Sequence, residues 1–69
     1  MENPHKSTGE PLLLTIPEVA QSLGLSRAKV YDLIAREGLP VIRFGRSVRV
    51  SVTSLHTWIE EREHQHMPF

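Results

Sequence analysis

Cysteine is absent from the sequence. That excludes both a disulfide framework and a thiolate zinc site, so no covalent or thiolate bridge compensates for a small core; a reducing compartment fits the composition. Long apolar runs are absent too. None exceeds the length of the three-leucine run Leu12–Leu14, far short of the roughly 18 residues a membrane span requires. No charged-then-apolar leader precedes a small-residue cleavage site, and the expectation is a soluble cytoplasmic protein with no membrane partner. Aromatic residues are scarce, with one Trp, one Tyr and two Phe, and the formal net charge is zero. A neutral chain is at first sight a poor partner for a polyanion, because cations that displace counterions from phosphates drive nucleic-acid binding. At 69 residues the chain is long enough for one core and too short for two. Below roughly 70–80 residues a single core supplies only a few kcal/mol.

The neutral total conceals an asymmetry. Between Ser26 and Arg49 stand Arg27, Lys29, Arg36, Arg43, Arg46 and Arg49 against only Asp32 and Glu37. This surplus of four positive charges is cancelled by an equal acidic surplus in the rest of the chain. A basic middle points to nucleic-acid contact and, on charge alone, equally to an ordinary mixed solvated surface.

Met1–Pro11 hold two prolines, a glycine and no apolar periodicity, which predicts a flexible N-terminal arm ahead of an ordered domain over residues 12–62. Thr15 followed three residues later by Glu18 is a capping box, and Pro17 is tolerated in a first helical turn. A helix over Ile16–Leu23 follows, with Ile16, Val19, Ala20 and Leu23 inward at helical spacing. Gly24 turns the chain. Ser26 caps a second helix over Arg27–Glu37, with Val30, Leu33 and Ile34 inward, and Gly38 ends it. Pro40 blocks any continuation. From Val41 the apolar period becomes two, giving a short hairpin in which Ile42, Phe44, Val48 and Val50 form an apolar face opposite a basic one that carries Arg43 and Arg49 on the same side. Arg46 sits at the tip. Ser51 caps a third helix whose stripe is Val52, Leu55 and Ile59, with Trp58 partly buried beside Leu55. The tail Glu63–Phe69 is expected to fray.

The predicted fold is therefore mainly α with a small β-hairpin, a winged helix-turn-helix ending in a C-terminal helix. Small Ala20 lets two steeply crossing helices approach, Gly24 supplies the turn, and Val19, Leu23, Leu25, Val30 and Leu33 fill the wedge between them. In such a fold the start and outer side of the second helix face the major groove, here Ser26, Arg27, Ala28, Lys29 and Tyr31. Arginine can bond guanine O6 and N7 in bidentate fashion, lysine neutralises phosphate, a serine-capped helix start holds a phosphate oxygen, and tyrosine stacks or bonds the backbone. Asp32 repels phosphate, so it either accepts from a cytosine amino group or pairs with Arg36 one turn on. On the hairpin, Arg43, Arg46 and Arg49 suit a minor groove or its flanking phosphates; a charged hairpin guarded against edge pairing explains one arginine better than three.

The segment LLTIPEVAQSLGLSRAKVYDLIAREGLPVIRFGRSVRVSVTSLHTWIEER, residues 13–62, resembles the excisionase-like DNA-binding domains, small relatives of the MerR-type winged helix. The resemblance is carried by the threonine-capped first helix, the serine-capped second helix with its tyrosine, the Leu39–Pro40 lead-in to the wing and the Gly45–Arg46 tip. It implies a bacterial or phage, nucleoid-associated protein of the recombination directionality type. Such a protein binds double-stranded DNA beside an integrase, cooperatively at adjacent sites, and bends the DNA so that excision is favoured. Some similar domains are transcriptional regulators instead. Ser47 departs from the pattern, since many relatives carry a basic or larger residue there, which implies a weaker grip by the wing.

Other readings of the residues are poorer. His56, His64 and His66 lack metal-ligand spacing and His5 stands far from them in sequence, so no metal and no cofactor is expected. Glu60, Glu61 and Glu63 read as a solvated helix end rather than an acid–base cluster, and no nucleophile motif or phosphate loop accompanies them, so the chain is not expected to be an enzyme. A protein-interaction module with a basic face is the reading from a different class.

Overall fold

The computed structural model describes residues 11–65. Most of the expected arm and the last four residues of the expected tail lie outside that range.

The first helix, α1, spans Ile16–Leu23, and its start is fixed from both sides. Thr15 Oγ1 accepts from the Glu18 N–H at 3.3 Å while Glu18 Oε1 accepts from the Thr15 N–H at 2.8 Å, which satisfies two donors that a helix end otherwise leaves unpaired. Its other end closes through Gly24 at φ +71°. The Leu25 N–H reaches back to the Ala20 carbonyl at 2.9 Å and the Gly24 N–H to the Gln21 carbonyl at 3.2 Å, the paired bonds of a Schellman motif, for which glycine is the residue without a Cβ penalty. Two residues later α2 begins. It spans Arg27–Arg36, with Ser26 Oγ accepting from the Lys29 N–H at 3.0 Å. It stops one residue before the expected Glu37, whose N–H bonds the Leu33 carbonyl, and the Leu39 N–H bonds the same oxygen after Gly38 has turned the chain.

The sheet has three antiparallel strands, β1 (Leu13–Leu14), β2 (Ile42–Phe44) and β3 (Ser47–Ser51), in the order β1-β3-β2. Strand β1 is absent from the sequence-based expectation. Two leucines are too short a run to show a period, and only pairing with Val50 and Ser51 makes them a strand. The last helix, α3, spans Val52–Gln65. Ser51 caps it as expected, its Oγ accepting from the Ser54 N–H at 3.1 Å, but the helix continues through Glu63–Gln65, where fraying is expected from the sequence.

The core lies where these elements meet. Ile16, Val19 and Ala20 of α1 pack with Val30 and Leu33 of α2, Val50 of β3 and Leu55 of α3. Val19, Val30 and Val50 are fully enclosed. Leu23, Ile34, Val52, Trp58 and Ile59 are half-buried. Leu39, missed as a core residue because it stands alone before a proline, is 2% exposed. Leu25, expected in the wedge between helices, is instead 39% exposed, because the Schellman turn leaves it on the outside. The architecture is a mainly helical winged helix-turn-helix, with a third strand added beside the wing.

Candidate nucleic-acid interface

The outer side of α2 is open. At 100° per residue the buried Val30 and Leu33, with half-buried Ile34, define its inner side. Directly opposite lie Ala28, Asp32 and Ala35, with Arg27 and Tyr31 along one flank and Lys29 and Arg36 along the other. Ser26, Arg27, Ala28, Lys29 and Tyr31 are all exposed, Tyr31 to 56%. Two alanines at the centre of this side let the helix backbone come close to a partner surface. Asp32 stands between them and holds both cations of its flank, Arg36 Nε at 3.1 Å and Lys29 Nζ at 3.7 Å. Arg27 has no ion pair among the described residues.

The wing differs from expectation in which residues share a face. Phe44 pairs with Ser47 across a two-residue loop of Gly45 and Arg46, Arg43 with Val48, and Ile42 with Arg49. Residues directly opposite in an antiparallel pair lie on the same side of the sheet. Arg43 therefore shares the core-side face with Val48 and Val50, while Arg49 shares the outward face with Ile42 and Phe44. The expected segregation into one apolar and one basic face, with Arg43 and Arg49 together, is incorrect. Alternation fixes faces within a strand, but loop length fixes them between strands. Gly45 has φ +62° and no other residue than glycine has positive φ among the described residues, the φ pattern of a type II′ turn with glycine first.

This pairing separates the three wing arginines. Arg43 and Arg46 are exposed, Arg43 because its strand runs beyond the core before the turn. Arg49 is half-buried, and its Nη1 donates to the Val48 carbonyl at 2.9 Å. The same pairing leaves Ile42 40% and Phe44 56% exposed on the outward face. Phe44 beside the tip is the residue that reasoning from alternation alone missed. The two-residue Gly-Arg loop was the signal that could have found it.

The rear of α2 is braced against α3. Trp58 Nε1 donates to the Glu37 carbonyl at 3.2 Å, Arg62 Nη1 donates to Glu37 Oε1 at 2.9 Å, and the Arg62 guanidinium lies 4.8 Å from the centre of the Trp58 ring. The brace leaves the outer side of α2 open. Among the described residues no three His, Cys, Asp or Glu side chains gather to hold a metal, and no helix is long and apolar enough to cross a membrane.

Comparison with known proteins identifies the family. A helix-turn-helix domain model matches residues 13–63. The chain is 38% identical over 56 residues to a protein of Streptomyces ambofaciens named "Excisionase", covering 81% of this chain and 90% of that one. It is 41% identical over 44 residues to a "Probable excisionase" of Saccharopolyspora erythraea, covering 64% and 45%. A "Putative DNA-binding protein" of Mycobacterium tuberculosis is 42% identical over 48 residues, which is 70% of this chain and 62% of the mycobacterial one; the match thus spans about three fifths of that relative. No solved structure matches. The chain belongs to the excisionase family of helix-turn-helix DNA-binding domains.

Proposed function

We propose that the protein is a non-enzymatic DNA-binding protein of the excisionase type, which occupies adjacent sites on double-stranded DNA and bends it so that an integrase carries out excision. The observation that carries this reading is the open outer side of α2, where Ser26, Arg27, Ala28, Lys29 and Tyr31 stand exposed on a braced helix-turn-helix. The start of α2 has the free N–H groups and dipole that hold a phosphate oxygen, and Ser26 fixes that start. Arg27 reads a base edge, Lys29 and Tyr31 hold the backbone, and Arg46 at the wing tip, with Arg43 behind it, takes flanking phosphates or the minor groove. Arg49, held by the Val48 carbonyl, reaches DNA only if that bond opens. Its part is the smallest of the three.

A regulator of transcription uses the same contacts, and the mycobacterial relative's name speaks of DNA binding alone. Excision by a cognate integrase in the presence and absence of the protein separates the two. A several-fold stimulation of excision supports the proposal. Binding to DNA with no effect on excision favours the regulator. An absence of any gel shift at low salt would leave the basic surface to an acidic protein partner instead.

A further inference from the structure

Within the proposed DNA-binding role, we infer that Asp32 is a specificity-determining residue that acts by restraint: it keeps Lys29 and Arg36 off the phosphates of any duplex that α2 does not fit. It stands between Ala28 and Ala35 in the middle of the outer side of α2, the one acid on that side, and it is half-buried beneath the two cations it holds. A carboxylate placed there does two things. It engages two of the helix's three cations, so that of the three only Arg27 has no ion pair among the described residues. It also offsets one of those two positive charges before any phosphate is met.

Both ion pairs are solvent-exposed, with the Lys29 and Arg36 side chains 53% and 78% accessible. Exposed pairs of this kind are weak and are screened by salt, so a duplex that lets α2 seat fully can draw the two cations away at little cost. A duplex that seats α2 poorly meets the carboxylate with its partners still in place. Non-specific affinity comes almost wholly from cations on phosphates, and the restraint therefore weakens binding to wrong sequences more than to right ones. This is discrimination by an attraction withheld from wrong sequences rather than by one added for right ones.

Removing the charge tests the idea, with two duplexes as probes: one that the wild-type protein selects from a random pool, and a scrambled version of it. Counterion release at about 0.15 M salt makes each further phosphate neutralised worth roughly fivefold in affinity and steepens the log–log salt slope by about one. Asp32→Asn is expected to bind the scrambled duplex roughly fivefold more tightly or better, to improve less on the selected duplex, and so to narrow the ratio between them. Arg36→Gln added to Asp32→Asn should take back much of the improvement. Glu63→Gln makes the same change in net charge on α3 and should leave the ratio as it was. Thermal melts identify any variant that fails to fold, and Asp32→Glu, which keeps the charge within reach of Arg36, should retain wild-type discrimination.

An unchanged ratio for folded Asp32→Asn overturns the inference, and so does an equal narrowing by Glu63→Gln, which would assign the effect to bulk charge. Loss of affinity for the selected duplex alone, with one base position relaxed, overturns it in favour of direct reading of a cytosine. If the wild-type protein shifts neither duplex even at low salt, the DNA-binding reading fails, and this inference with it.

Discussion

Arg27 and Arg46 are both exposed and both without an ion pair among the described residues, yet they occupy different kinds of position. Arg27 is in the first turn of a helix whose backbone is capped and braced, so its guanidinium is offered from a fixed base. Arg46 is the second residue of a two-residue turn, at the end of a ribbon that has left the core. The expected outcome for Arg27→Ala is a loss of about 1–3 kcal/mol on the preferred sequence with relaxed choice at one base pair. Arg46→Ala should weaken all sequences alike and make the salt slope about one unit shallower. Binding titrations across salt and a small panel of single-base variants distinguish the two. If both substitutions leave affinity unchanged, the assignment of these residues is wrong. Ser26→Ala is expected to cost about 1 kcal/mol of stability, read by thermal or denaturant unfolding, since it frees the Lys29 N–H that Ser26 now satisfies.

At the scale of elements, the two helices of the motif and the wing differ in what holds them. The α1–α2 pair is fixed by local chemistry: a capping box, a Schellman turn and a serine cap within 12 residues, Thr15–Ser26. The outer part of the wing, beyond core-bound Val50, has little besides its ladder and the left-handed Gly45. Gly45→Ala should therefore destabilise by about 1–2 kcal/mol, the cost of a Cβ in that region, although open space surrounds the position. If denaturant unfolding finds the variant as stable as the wild type, the turn adopts another shape. Leu39 is the anchor from which the wing departs, 2% exposed between the end of α2 and Pro40. Leu39→Ala is expected to cost about 2–5 kcal/mol, comparable with the whole stability of so small a domain, and circular dichroism at 25 °C should find much of it unfolded.

For the whole molecule, one small domain presents a limited surface to a duplex. With Arg27 on a base edge, Lys29, Arg36, Arg43 and Arg46 can neutralise at most about four phosphates, which predicts a salt slope near −3.6. Single modules of this size bury little DNA surface, so useful specificity calls for neighbouring copies. Titration onto DNA with one site and with several adjacent sites is expected to give tighter binding per site on the second; equal affinity would speak against cooperative assembly. The brace formed by Glu37, Trp58 and Arg62 matters at this scale, because it ties the far end of α2 to α3 across 21 and 25 residues of sequence.

What the sequence determined was whatever depends on near neighbours. The bounds of α1, the starts of α2 and α3 and the glycine turns all follow from caps and periods readable within four or five residues. The helix-turn-helix was legible for the same reason, since Gly24 and Ser26 act on adjacent backbone. Tertiary structure decided the rest. Strand β1 exists only because β3 lies beside it, Leu39 is buried only because α2 ends where it does, and the Glu37–Trp58–Arg62 brace has no local spacing to announce it. The faces of the wing depended on pairing as well: a two-residue loop sets Arg43 across from Val48 and puts Phe44 and Arg49 on the outside. Side-chain direction along one strand is a local property, but which directions agree between two strands is fixed by the hydrogen-bond register that joins them.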